Sequence, residues 1–259
     1  MRPIVIHAKY SNGPTWHKRY ANALFDGFRK HGYNIDNLAV TNGDSSFAYD
    51  DAAVHVLFGP NYFPITFSRS TEDDIITINR CFYGDHNDNV AVGWGGFNGL
   101  ARFPAAIEGR LEKEIEKFPA RTWRMPKKEH IALIIGEYVS ACDDPEAIME
   151  FYAASVEDAK ANGYLPVFRP HPQQKSRRIE GAAWAPNGNI LGATVVYTYA
   201  STYGVHARLI GAPVIADEAS LAHADGEETE KQWLARVAAA QWHIDELQSG
   251  EFWEYLKGA

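Results

Sequence analysis

The feature that most narrows what this chain can fold into is a pair of apolar runs, each ending abruptly in polar chemistry. Leu165-Pro-Val-Phe-Arg-Pro-His-Pro172 and Val195-Val-Tyr-Thr-Tyr-Ala-Ser-Thr-Tyr-Gly204 both start like short buried strands. Both stop at cationic, ring-bearing or hydroxyl residues. A helical pattern begins directly behind Ser201-Thr202, and Pro213-Val-Ile215 returns to strand. Short continuous apolar runs alternating with helices mark strands covered on both faces, the condition of a parallel sheet. Ligands of such sheets bind at the carboxyl ends of the strands. A helix starting there offers free N–H groups and the positive end of its dipole to an anion. Arg169 and His171 at one strand end, with Ser201 and Thr202 at the other, are therefore the candidate cradle for a phosphate. A nucleotide diphosphate is the first ligand to expect. Prolines on both sides of His171 present it rigidly, whereas Ser201 and Thr202 are favoured N-cap residues with or without a ligand.

The same alternation runs through the chain. Strands are predicted at Ile4–His7, Leu38–Val40, Val54–Phe58 and Ile75–Asn79, and helices at Thr15–His31 and Ala105–Phe118. The Gly- and Trp-rich stretch Asn89–Gly99 is not expected to be regular throughout. Arg121–Glu129, basic and interrupted by Pro126, reads as a connector. The pattern then restarts with strand His130–Ile135, helix Pro145–Asn162, strands Pro166–Phe168 and Val195–Tyr199, helix Tyr203–Ile210 and strand Pro213–Ile215. Two helices follow, Glu228–Gln241 and Ile244–Tyr255. Two β/α halves joined by a connector imply an α/β fold of two Rossmann-like lobes with a compact N-terminal one. The boundaries expected are 1–122, 123–241 and a C-terminal helix, 242–259, that crosses back to the first lobe.

Composition removes several alternatives. The chain has 259 residues and a formal charge of −8, which argues against broad binding to nucleic acid though not against a local basic groove. No apolar run approaches the ~18 residues of a membrane span, and nothing resembles a signal peptide, so a cytoplasmic protein is expected. Cys81 and Cys142 are far apart and lack metal-site spacing, which fits a reducing compartment. There is no Gly-x-Gly-x-x-Gly behind the first strand, no P-loop and no Gly-x-Ser-x-Gly elbow. Asp73-Asp74 does not form an Asp-x-Asp metal element, and neither a metal nor a cofactor is expected.

Three segments in order carry a family resemblance. Arg169-Pro-His-Pro172, then Ser201-Thr-Tyr-Gly204 through Gly211-Ala-Pro-Val214, and before them Ile135-Gly-Glu-Tyr138, resemble the nucleotide-sugar-binding lobe of GT-B glycosyltransferases. The capsule-polysaccharide and CDP-glycerol-type transferases, and small relatives from bacteriophage genomes, are the most similar. The likeness covers about 130 to 220 well and the first 120 residues in general architecture. It implies a metal-independent transfer of a sugar from a nucleotide-activated donor to an acceptor hydroxyl. Arg169, His171, Ser201, Thr202, Tyr203, Glu137 and His206 then stand on the nucleotide side. His206 occupies a place where the family pattern has glutamate.

The N-terminal half offers the acceptor side. Ser11-Asn-Gly-Pro-Thr-Trp-His17 follows the first strand, and the resemblance places Asn12, Gly13 and His17 facing the donor lobe. Asn79-Arg-Cys-Phe-Tyr-Gly-Asp-His86 brings a carboxylate and an imidazole to one loop, so Asp85 or His86 is the candidate base for the acceptor hydroxyl. Trp94 and Asn98 follow on the glycine-rich stretch, where Trp94 is a candidate stacking platform. Phage relatives imply a hydroxymethylated pyrimidine of DNA as acceptor, the favoured reading. Lys18, Arg19, Arg29, Lys30, Arg121, Arg124, Lys127 and Lys128 are the candidate basic groove, with Lys175, Arg177 and Arg178 beside the proposed phosphate site. Polysaccharide relatives imply a glycan or glycerol phosphate. A non-catalytic nucleotide-binding protein of the same fold is the third reading, favoured by His206.

Overall fold

The computed structural model describes residues 2–8, 15–34, 36, 38–41, 53–58, 75–96, 101–104, 106–126, 130–138, 144–218, 220–224 and 226–258. The chain forms two compact units. Unit 1 comprises Met1–Lys117 together with Thr229–Ala259, and unit 2 comprises Phe118–Glu228. Both are α/β. The strands in chain order are β1 (Ile4–His7), β2 (Leu38–Thr41), β3 (Val54–Phe58), β4 (Ile75–Arg80), β5 (Asn89–Gly95), β6 (Ala101–Arg102), β7 (Ile131–Ile135), β8 (Leu165–Arg169), β9 (Ala183–Trp184), β10 (Val195–Thr198), β11 (Val214–Ala216) and β12 (Gln241–His243).

In unit 1 the sheet order is β12-β5-β4-β3-β1-β2, with β6 paired to β5. β1 to β4 run parallel, whereas β5 is antiparallel to β4, β6 and β12. β1 and β3 are apolar nearly throughout and buried at every position, as a strand covered on both faces must be. One face of this sheet packs against the Thr15–Lys30 helix, whose Tyr20, Leu24 and Phe28 recur at four-residue spacing. Phe252 and Trp253 meet Phe28 edge-on, with ring centroids 5.3 and 5.1 Å away. Each such ring removes about 1.5–3 kcal/mol worth of apolar surface from water. The Thr15–Lys30 helix approaches the Ile244–Ser249 helix at Gly27, where a Cβ would collide with the Leu247 carbonyl oxygen.

Unit 2 holds a wholly parallel sheet, β11-β10-β7-β8-β9. The Pro145–Ala161 helix between β7 and β8 starts on Asp144, whose carboxylate accepts the Ala147 N–H at 2.9 Å, with Pro145 at its first position. Its Ile148, Tyr152, Val156 and Ala159 form one buried stripe against β7, β8 and β10. From β7 the chain proceeds outward through β8 and β9, and β10 and β11 then lie on the other flank. The order therefore reverses beside β7, which makes the junction of β7 and β10 the topological switch point of unit 2.

Several elements differ from the sequence reading. Asn89–Gly95, part of the stretch not expected to be regular throughout, is a fully buried strand. Its Gly93 admits a close crossing, since a Cβ there would lie 2.9 Å from Ala101 Cβ and Phe103 Cδ1. The helix expected over 105–118 is reduced to Arg110–Glu114 and a single 3-10 turn, because Gly109 takes the left-handed conformation at its start. The Glu230–Ala240 helix, placed with the second lobe by sequence, belongs to unit 1. β12 fills the gap between the two expected tail helices, and the second of these is broken by Gly250 at φ 84°. Among the described residues no helix is long and apolar enough to cross a membrane.

Candidate functional site

All five strands of unit 2 point the same way, so the segments after β7, β8 and β10 emerge on one edge. Gly136 follows β7 and donates its N–H to the Arg169 carbonyl at 2.7 Å. A Cβ at this position would lie 2.9 Å from the His171 nitrogen and 3.0 Å from the Arg169 oxygen. Glycine is what lets the ends of β7 and β8 close together, and that closure lays the His171 ring 5.4 Å from Tyr138.

His171, two residues beyond β8, caps the Pro172–Gln174 turn. Its Nδ1 accepts the Gln173 N–H at 3.2 Å. Burial pushes its pKa below the usual histidine value. The ring is therefore neutral near pH 7, with the proton on Nε2, and offers one N–H donor to a ligand. Arg169, the last residue of β8, lays its guanidinium over the Tyr203 ring at 3.8 Å. Its Nη1 is buried with no hydrogen-bond partner among the described residues. Stacking on a ring does not satisfy an N–H group, and a buried donor without an acceptor is costly, about 1–3 kcal/mol.

On the other flank, β10 runs into the Thr202–Leu209 helix through Ser201, whose hydroxyl accepts the Tyr203 N–H at 3.2 Å. Gly204 is required here, because a Cβ would fall 2.8 Å from Thr198 Oγ1. The helix start is thereby drawn onto the end of β10. Along its first turn, Tyr203 lies between Arg169 and His206, with the His206 ring 6.2 Å away and 8° from parallel.

Between the two flanks sits Glu137, 4% exposed. Its Oε1 accepts the Ala200 N–H at 3.0 Å, and its own N–H donates to the Tyr152 hydroxyl at 2.5 Å. Burial pushes its carboxyl up to about 7, against the opposing hydrogen bonds of the Ala200 and Ser201 N–H groups and the Thr198 hydroxyl. Unit 2 thus brings together Glu137, Arg169, His171, Ser201, Thr202, Tyr203 and His206 on its carboxyl edge. Sequence reasoning missed Gly136, Tyr138, Tyr152 and Thr198. The two glycines that force close approach, Gly136 and Gly204, were the signal for their neighbours.

Unit 1 treats its candidates differently. His17 is buried on the Thr15–Lys30 helix, edge-on to Trp16 at 4.1 Å and 5.1 Å from Phe58, the last residue of β3. Asp85 and His86 lie on the turn between β4 and β5. The Asp85 carboxylate accepts the Asn87 backbone and side-chain N–H groups at 2.8 and 3.0 Å. Arg19 ties the turn to the helix, donating to Asn87 O at 2.7 Å and to Asp88 Oδ1 at 2.8 Å. Burial pushes the Cys81 thiol up to about 12, and its Sγ lies 2.9 Å from His86 Nδ1. Trp94 is no stacking platform. The antiparallel course of β5 carries it opposite Ile76, at the amino end of β4, into the core beside Trp253. There its indole N–H donates to the Leu256 carbonyl at 2.7 Å. Asn12, Gly13 and Asn98 lie outside the described residues.

The basic residues beyond β8 are partly engaged. Arg178 stacks on Trp184 at 3.7 Å and donates from Nη1 to the Ser176 carbonyl at 2.8 Å, while Arg177 lies against Met149 Sδ at 3.3 Å. Among the described residues no three His, Cys, Asp or Glu side chains gather into a metal-holding group.

No family model matches the chain, and no curated protein sequence matches it. Solved structures do. Thermosulfurimonas dismutans KpsC, beta Kdo 2,7 transferase, is similar with a TM-score of 0.53 and 11% identity, over 96% of this chain and 98% of that one. The beta Kdo 2,4 transferase of the same organism's KpsC is similar at a TM-score of 0.46 and 12% identity, over 92% and 90%. At 11% identity the first of these likenesses is one of fold: this chain has an α/β fold of the kind seen in the beta Kdo 2,7 transferase.

Proposed function

We propose that this protein is a glycosyltransferase whose unit 2 holds the phosphate of a nucleotide-activated sugar on its carboxyl edge. The observation that carries this reading is the buried, unpartnered Nη1 of Arg169, set beside His171 and the start of the Thr202–Leu209 helix at a topological switch point. In transfer, the glycosidic carbon–phosphate oxygen bond breaks and negative charge grows on the leaving phosphate. Arg169, the His171 Nε2–H and the helix N–H groups would meet that charge as preorganised donors. The two-lobed GT-B arrangement is part of this proposal. The fold shared with a protein named as a Kdo transferase supports the reaction class and adds a Kdo-linked nucleotide to the donors worth testing.

For the acceptor, a glycan hydroxyl is the better reading. The chain carries a net charge of −8, and Arg178, one of the proposed DNA contacts, is folded onto Trp184 and backbone carbonyls. A panel of UDP-, GDP-, CDP- and CMP-linked sugars, read by thermal shift, tests the donor. A ligand at a hundred times its dissociation constant adds about 2.7 kcal/mol of stability. Donor hydrolysis in the same samples distinguishes a transferase from a non-catalytic nucleotide binder. If no donor raises Tm, or if Arg169→Ala responds as the wild type does, the reading fails.

A further inference from the structure

Glu137 is a buried carboxyl with an unusual set of partners. It lies two residues beyond the central strand β7 of unit 2, with Arg169 and His171 on its β8 side and Ala200 and Ser201 on its β10 side. What holds it is neutral: the Ala200 and Ser201 N–H groups and the Thr198 hydroxyl. Tyr152, on the helix packed above, spends its hydroxyl on the Glu137 N–H. Asp144 caps that helix at the Ala147 N–H, and Arg169 faces the Tyr203 ring. Among the described residues no lysine or arginine pairs with Glu137. Yet it lies among the groups assigned above to an anion.

Resting on that phosphate seat, we propose that Glu137 is a proton-coupled positioning residue: an anion bound by Arg169, His171 and the Thr202–Leu209 helix start draws a proton from solvent onto the Glu137 carboxyl. Two negative charges close together in a poorly solvated site cannot both persist, and the group able to shed its charge is the carboxyl. Its titration near neutrality puts the exchange within reach of ordinary pH. Protonation leaves the Ala200 hydrogen bond in place, because a neutral carboxyl still accepts through its carbonyl oxygen. When the anion leaves, the proton returns to solvent. A leaving phosphate would thus gain its charge opposite a neutral group.

Sulfate is the probe, since it stays divalent across the neutral range. Calorimetry in two buffers of different ionisation enthalpy measures protons taken up on binding. Wild type is expected to take up a proton at pH 8, and its affinity to fall by up to about tenfold per pH unit above neutrality, the limit for one coupled proton. Glu137→Gln is expected to bind sulfate with a flat response above pH 7. His171→Gln, which removes the other titrating group, is expected to keep the uptake. A Gln variant that retains the wild-type uptake and slope overturns the coupling while leaving the seat intact. Absence of sulfate binding in wild type at pH 6 and pH 8 overturns the seat itself, and the coupling with it. Carboxyl ¹³C NMR of the wild type reads the same event without any variant. The Glu137 midpoint is expected to rise on adding sulfate, and an unmoved midpoint overturns the proposal.

Discussion

Arg110 grips Glu246 with both ends of its guanidinium, Nη1 to Oε1 at 3.0 Å and Nη2 to Oε2 at 3.1 Å, joining residues 136 positions apart inside unit 1. The same guanidinium donates to the Ala238 and Gln241 carbonyls and covers the Trp242 ring at 3.9 Å. Lys113 adds a second cation to Glu246 at 2.5 Å.

Removing one side of this pair strands the other. Glu246→Leu is expected to destabilise unit 1 by about 3–5 kcal/mol, whereas Arg110→Met with Glu246→Leu recovers much of that loss. Burial pushes the Glu246 carboxyl up, but Arg110, Lys113 and the His243 N–H outweigh it and hold it at about 2. With the folded pKa below the unfolded one, the pair's contribution is complete above about pH 4.3 and is lost as pH falls toward about 2. Thermal melts between pH 5 and pH 2 check this, and the wild type should lose Tm faster than the double variant.

Glu137 has the opposite sign. Its folded pKa lies above the unfolded value, so stability falls as pH rises from about 4.3 to about 7 and the cost is complete above that. Glu137→Gln, without ligand, is expected to raise Tm by several degrees at pH 8 and to leave it nearly unchanged at pH 4. A variant less stable than wild type at pH 8 contradicts this assignment.

Gly204→Ala is expected to cost about 1–3 kcal/mol, since the added methyl meets the Thr198 side chain. Thr198→Ala in the same chain should restore part of it, a coupling that denaturant titration of the double-mutant cycle measures. Purely additive losses would show that the helix start can relax away from β10.

His171→Ala and Arg169→Ala should each weaken donor binding, His171→Ala by roughly tenfold, the scale of one hydrogen bond to a charged group. Neither removal opens a core cavity, so melts should stay within a few degrees of wild type. A variant that unfolds while its remaining folded fraction binds donor normally would make the residue structural.

A glycan acceptor implies no measurable affinity for hydroxymethylated duplex at physiological salt. A DNA acceptor would instead give a slope of log affinity on log salt of roughly −0.9 per phosphate contact. Fluorescence anisotropy across a salt series decides between them.

The strand ends of unit 2 were legible because their chemistry is local. A run such as Val195–Thr198 has one use in a chain of this kind, and Ser201 signals its own role as a cap. Glu137 was found by resemblance, but its partners were not readable, since Ala200 and Thr198 reach it across β7 and β10, sixty-odd positions along the chain. Trp94 was misplaced for a related reason: nothing in Gly93-Trp94-Gly95 announces that β5 runs antiparallel. β12 fell in the gap between two expected helices, Glu228–Gln241 and Ile244–Tyr255, and only its pairing with Asn89–Ala91 makes it a strand.

Unit 1 is written in two pieces of chain, leaving at Lys117 and resuming at Thr229. The second piece brings β12 to the edge of β5. It also brings Gln241, whose side chain takes the Phe82 N–H at 2.8 Å, and the helix ends that bury Phe28. On the ribosome, unit 2 therefore emerges entire while the earlier sheet still lacks a strand and most of one covering layer. The segment made first is completed last, and a nascent chain halted near residue 228 would carry a complete unit 2 behind a sheet still missing β12.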